Sequence, residues 1–156
     1  MNFKYALMAF GAAVMCFGVC GCAKSDRSLI TTLEQSARAA ITNSNQVVKV
    51  SDVTDFKWDK LFIFQPYTPI DRINSRLGFR WIDPERVTLS VPETAYLLVF
   101  VKDGQVVRRI EFPRSVGDFS SLEAQEAFIY GRDIFDVKFV QTDTANRLCF
   151  VARPQK

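Results

Sequence analysis

Ala95-Tyr96-Leu97-Leu98-Val99-Phe100-Val101-Lys102-Asp103-Gly104-Gln105-Val106-Val107-Arg108-Arg109-Ile110-Glu111-Phe112 decides the class of fold. The unbroken apolar run from Ala95 to Val101 reads as a central strand, covered on both faces. Lys102-Asp103-Gly104-Gln105 carries the Asp-Gly signal of a tight hairpin turn. The chain then returns with Val106, Ile110 and Phe112 on one face by simple alternation. Arg108 shares that face by parity, so its aliphatic stem is expected to cover the sheet while its head reaches water.

Upstream of this hairpin, Val87, Leu89 and Val91 alternate with Thr88 and Ser90 as a half-buried strand, which Pro92-Glu93-Thr94 ends. Phe56 to Phe64 reads as a further strand whose second half enters the sheet interior. Between them lies a short helix. Thr68 suits an N-cap, Pro69 the first helical position and Asp71 the first turn. Ile70, Ile73 and Leu77 form its apolar stripe, and Gly78 its C-terminal cap. A turn at Asp83-Pro84 follows Phe79 to Ile82. Further back, Gln46 to Val53 is a short strand. Asp26 to Asn43 is a helix with Ile30, Leu33, Ala37, Ala40 and Ile41 on one face.

Downstream, Pro113 to Phe119 reads as a loop. Ser120 to Tyr130 reads as a helix opened by a Ser120/Glu123 capping box and ended by Gly131. Asp136 to Gln141 and Arg147 to Arg153 form a last hairpin across Thr142 to Asn146, and Pro154 to Lys156 is a frayed end. The sum is a single α+β domain over residues 26–156. It has a mainly antiparallel sheet of about five strands, an N-terminal helix, and one or two short helices on one face. The 156 residues fit one domain.

Composition narrows function. The chain has no histidine, which removes Ser-His-Asp and Cys-His sites and histidine-ligated zinc. The formal net charge of +3, without any block of like charge, is no nucleic-acid footprint. No glycine-rich phosphate loop occurs, and Asp133, Asp136 and Asp143 lack the glycine and terminal glutamate of a calcium loop. No cofactor or metal site is therefore expected. Lys24-Ser25 and Lys49-x-Ser51 lack the Ser-x-x-Lys spacing that places nucleophile and base together. Asp133 with Asp136, or Asp52 with Asp55, would be the carboxylate pairs of an acid–base enzyme, although exposed loop carboxylates are far commoner. No catalytic residue is assigned.

Residues 1–21 read as an address. Lys4 gives a positive start, and Tyr5 to Cys20 is a nearly unbroken apolar and small-residue run, shorter than the ~20 residues of a spanning helix. Val19-Cys20-Gly21-Cys22 resembles the lipobox of bacterial lipoproteins. The resemblance implies that Cys22 receives a diacylglycerol, that the signal is cut after Gly21, and that residues 22–25 form a lipidated tether. Two or three acyl chains anchor stably where one binds marginally. An uncleaved anchor helix is the alternative. In enteric lipoproteins an aspartate after the lipid cysteine retains the protein in the inner membrane. Ala23 there favours the outer membrane, facing the periplasm. Cys16 and Cys20 leave with the signal and Cys22 carries lipid, so Cys149 has no disulfide partner and reads as a small buried residue.

Tyr67, Trp81 and Tyr130 fall at element ends, and Arg76, Arg80, Arg108, Arg109, Arg114 and Arg132 supply fork-shaped donors. These residue types dominate protein interfaces, although core aromatics and solvated arginines are the plainer reading of each. The segment Trp58 to Phe64 with Pro66-Tyr67-Thr68-Pro69 resembles small bacterial envelope proteins, including small enteric lipoproteins. Leu98 to Gly104 and Glu111-Phe112-Pro113-Arg114 add to it. That resemblance implies a fold and no activity.

The expectation is thus an outer-membrane-anchored periplasmic lipoprotein that acts non-enzymatically by binding protein. One concrete form is an immunity protein against an envelope-targeting toxin. The alternatives are an envelope assembly or stress factor, and a small-ligand or lipid carrier, which would need a concave apolar pocket.

Overall fold

A computed structural model describes residues 22–81, 91–122, 127–141 and 146–153. The address segment 1–21, the turn at Asp83-Pro84, all but the end of the strand expected at Val87–Val91, the last hairpin's turn and the frayed end lie outside the described residues.

Among the described residues the elements are α1 (Cys22–Thr42), β1 (Val47–Lys49), β2 (Lys60–Phe64), α2 (Ile70–Leu77), β3 (Ala95–Lys102), β4 (Gln105–Pro113), β5 (Gly117–Asp118), β6 (Phe128–Ile129), β7 (Ile134–Gln141) and β8 (Asn146–Ala152). One sheet has the order β1-β7-β8-β5 and the other β4-β3-β2-β6. All pairings are antiparallel except β5 with β8. The chain is a single α+β domain dominated by sheet.

The hairpin organises the second sheet. Asp103 and Gly104 take φ of 49° and 73°, the left-handed pair that a two-residue turn needs to match strand twist. Simple parity fails in the returning strand. Phe100 pairs with Arg108 but Val101 pairs with Val106, so Val107 is an extra, bulged residue. The bulge turns Val106 to the face of Val99 and Val101, while Arg108, Ile110 and Phe112 keep the opposite face. Every residue of β3 from Ala95 to Val101 is buried, because both faces of this sheet are covered.

The helices divide between those faces. Leu33, Ala37 and Ala40 of α1 join Leu98, Phe100, Ile110 and Phe112 together with the first sheet. Ile73 and Leu77 of α2 pack on Phe62, Phe64, Leu97, Val99 and Val101 on the other side. The expectation of helices on one face is replaced by this three-layer arrangement, because β2 and β3 are apolar at nearly every position and need a cover on each side. Phe119 sits at the centre of the main core. It is stacked on Phe150 with centroids 4.5 Å apart and lies edge-on to Phe112 at 5.1 Å and Tyr96 at 5.5 Å.

Several boundaries shift for identifiable reasons. The helix expected from Asp26 begins at Cys22, so the residues expected as a tether form its first turn. Thr68 is not the N-cap of α2. Its hydroxyl donates to the Gln65 carbonyl at 2.7 Å, closing a turn in which Tyr67 takes φ of 62°. Pro69 occupies the cap position, with its carbonyl accepting from Arg72 and Ile73. Gly78 closes the helix in the left-handed conformation, as its position implied. Of the helix expected over Ser120 to Tyr130, residues 123–126 lie outside the described residues, and the described flanks form a 3₁₀ turn at Ser120–Leu122 and β6 instead. Phe128 lies 4.7 Å from Phe135 in the core, and β6 pairs with Lys60 and Leu61, so sheet edge and core together override local helix preference. The loop expected at Pro113–Phe119 contains β5.

Candidate functional site

Where the two sheets meet lies an open cleft of ≈ 480 Å³, lined by Glu93, Thr94, Arg114, Ser115 and Arg147. Three segments build it. The Pro92-Glu93-Thr94 turn leads into β3, Arg114-Ser115 follows β4, and Arg147 lies near the start of β8. Ala95 pairs with Pro113, and the Arg114 N–H donates to the Thr94 carbonyl at 2.9 Å, which holds the first two segments together. The parallel pairing of Gly117 with Leu148 brings the third alongside.

Within the cleft, one terminal nitrogen of Arg114 donates to the Glu93 carbonyl at 3.3 Å. Its Nε is buried and has no hydrogen-bond partner among the described residues. Tyr67, 60% exposed, has its pKa raised first by the pull of the Glu93 carboxylate on its hydroxyl, with burial and the Glu93 charge adding to the rise and Arg114 opposing it. Behind the cleft, the Tyr96 hydroxyl donates to Asp118 Oδ1 at 2.6 Å, and the same oxygen accepts the Ser120 N–H at 2.7 Å. Burial and then this carboxylate push the Tyr96 phenol up to about 12. Burial alone would raise Asp118, but the bonds from Tyr96 and Ser120 and the charge of Arg147 outweigh it, and its pKa falls below the ordinary value.

Of the residues singled out in the sequence, this arrangement gathers Arg114 and Tyr67. Trp81 packs against the α2 cluster, with its backbone N–H donating to Asn74 Oδ1. Tyr130 lies edge-on to Trp58 at 5.0 Å and is 51% exposed. Arg76 lies over the Phe64 ring, Arg109 pairs with Glu111, and Arg80 and Arg132 are exposed. The Arg108 head does not simply reach water: it lies 5.0 Å over the Phe56 ring and pairs with Asp26 at 3.2 Å. Glu93, Thr94, Ser115 and Arg147 were not singled out. The β3–β4 hairpin joins the first three of these, and the pairing of β5 with β8, which no local sequence pattern announces, adds Arg147.

The candidate acid pair is split. Asp133 is fully buried and accepts the Ser51 N–H at 2.6 Å, tying the 3₁₀ turn after β1 to the start of β7. Asp136 faces outward in an ion pair with Arg153. Asp52 and Asp55 are exposed, and Ser51 is buried against Asp133 while Lys49 is half-buried. Cys149 is not a core residue. Leu148 and Phe150 take the inner face of β8, which leaves Cys149 half-exposed on the outer one. Burial, followed by the Asp118 charge, raises its thiol pKa against the opposing pull of Lys138 and Arg147. Among the described residues no group of three or more acidic or cysteine side chains is placed to hold a metal. No described helix is long and apolar enough to cross a membrane. Cys22 is the first residue of α1.

Comparison with protein-family models, with curated proteins and with solved structures finds no match.

Proposed function

We propose that this chain is a bacterial lipoprotein, anchored through acylated Cys22 to the periplasmic face of the outer membrane, and that it acts by binding a protein partner without catalysing a reaction. The observation that carries the reading is the junction at Cys22. The lipobox-like Val19-Cys20-Gly21-Cys22 ends where the folded helix α1 begins, so an acylated Cys22 would hold the domain directly against the bilayer. Such placement suits a protein that must meet its partner at the envelope. An immunity protein against an envelope-targeting toxin is one concrete form, and an assembly or stress factor is another.

Packing supports protein binding over a lipid carrier. The apolar gap between α1 and the second sheet, bounded by Leu29, Leu33, Leu98, Phe100, Ile110 and Phe112, leaves no room for a water molecule. A lipid carrier needs a cavity of several hundred cubic ångströms among such residues.

Metabolic labelling with radioactive palmitate tests the anchor. The wild-type chain is expected to incorporate label and fractionate with outer membrane. Cys22→Ser is expected to accumulate as unlabelled precursor, and label retained in that variant would overturn the assignment of Cys22. Affinity capture by the full acylated chain in detergent tests the binding class. A stoichiometric protein partner is expected, and repeated capture of none would count against it.

A further inference from the structure

The geometry points to the cleft between Glu93-Thr94, Arg114-Ser115 and Arg147 as a binding site for an oxyanion, a carboxylate or phosphate group. The group would be gripped by the Arg114 and Arg147 guanidiniums, with the Thr94 and Ser115 hydroxyls beside them. A guanidinium presents its N–H donors in a fixed planar fork that matches two oxygens of such a group.

Three features of the cleft carry this. The Arg114 Nε is buried yet donates to nothing among the described residues, whereas buried polar atoms are almost always paired. The carboxylate of Asp118, behind the cleft, already has donors of its own, accepting the Tyr96 hydroxyl and the Ser120 N–H. Among the described residues neither Arg114 nor Arg147 has a carboxylate at salt-bridge distance, in contrast to Arg38, Arg108, Arg109 and Arg153. Finally, ≈ 480 Å³ is space enough for a phosphate or for the end of an acidic side chain.

Formal charge at the site is nearly balanced, with Glu93 and Asp118 close to two arginines. Recognition therefore comes from directional donors more than from a positive field, and binding should weaken only modestly with added salt. The oxyanion has two sources with the same chemistry: an acidic side chain of the protein partner, which rests on the reading above, or a free phosphate compound.

The test uses the full chain in detergent micelles, isotopically labelled, with the arginine Nε–Hε resonances followed by NMR. Inorganic phosphate and a terminally blocked glutamate-rich peptide are titrated separately. Saturable shifts at Arg114 and Arg147 are expected with at least one probe, and which probe saturates tells the source. Arg147→Gln, which breaks no side-chain hydrogen bond among the described residues, and the gentler Arg114→Lys should each weaken binding about ten- to a hundred-fold while leaving the backbone spectrum intact. The inference is overturned by no shift, by unsaturated shifts spread over the exposed arginines, or by unchanged affinity in the folded variants. The protein-binding reading fails separately: if wild type captures no partner, these titrations still decide the cleft. If the variants bind neither probe yet capture a partner as well as wild type, the oxyanion is not the partner's.

Discussion

At the residue scale, polar side chains in half-buried settings control how stability responds to pH. Asp118 has a lowered pKa, so its contribution is present above the unfolded value of 3.8 and is lost as pH falls through the lower folded value. The Tyr96 phenol is raised from 10.0 to about 12, so its contribution holds below pH 10 and drains away as the unfolded chain ionises between those values. Tyr96→Phe removes their shared bond and should cost roughly 1.5–3 kcal/mol at neutral pH. The cost should shrink once Asp118 is protonated in both states. Denaturation curves at neutral and strongly acidic pH check this, and an equal cost at both would show that the bond is energetically idle. Close packing sets a second test. A Cβ on Gly117 would sit 2.7 Å from Phe150 Cε2 and 3.3 Å from Phe112 Cε1. Gly117→Ala should therefore destabilise by about 1–3 kcal/mol as those rings are displaced, which ring-proton NMR shifts would register. Neither feature was legible in the sequence. Gly117 looked like one more loop glycine, and the Tyr96–Asp118 bond joins residues whose meeting depends on how β5 docks. The same holds for Asp133: nothing local marks it as the buried acceptor of Ser51 N–H.

At the element scale, local chemistry was legible where the chain satisfies its own backbone. The Asp103-Gly104 turn and the Gly78 cap are set by positive φ, which a sequence reports through residue type. The space that a Cβ at Gly78 would occupy is open, so a substitution there feels only backbone strain. Gly78→Val should cost about 1–2 kcal/mol and Gly78→Asn clearly less, an ordering that thermal unfolding of the two variants can test. Equal losses would mean that α2 does not rely on this cap. Elements failed where tertiary context decides. Alternation misplaced Val106 because the bulge at Val107 is a property of the strand pair, invisible in either strand alone. The helix pattern at Ser120–Tyr130 yielded to β6 because Phe128 gains more in the core than a solvent-side helix could offer.

At the scale of the whole molecule, the α+β class was legible because two long apolar stretches, β2 and β3, admit few alternatives. The three-layer division was not, since periodicity says that both faces are covered but not by what. The candidate site was the least legible part. No local pattern marks the Arg114–Arg147 cleft, which exists only once β8 lies beside β5. One polar contact ties the start of α1, where the anchor is proposed, to the second sheet. Arg108, on the inner face of β4, lies on Phe56 and pairs with Asp26 one turn into α1, with both side chains partly exposed. Through this contact the sheet steadies the end of the helix that an acylated Cys22 would attach to the bilayer. Arg108→Met keeps the hydrophobic cover over Phe56 and removes the charge. A partly exposed pair and its cation–π contact together warrant a loss of about 1 kcal/mol, too little to unfold the domain. The effect should instead be local. Amide exchange at Arg27 to Ile30 should quicken while β3 and β7 stay protected, because the rest of α1 is held by Leu33, Ala37 and Ala40 in the core. Quickened exchange throughout α1 would mean that the pair governs docking of the entire helix. Unchanged exchange would mean that the first turns are fixed by packing of Leu29 and Ile30 alone.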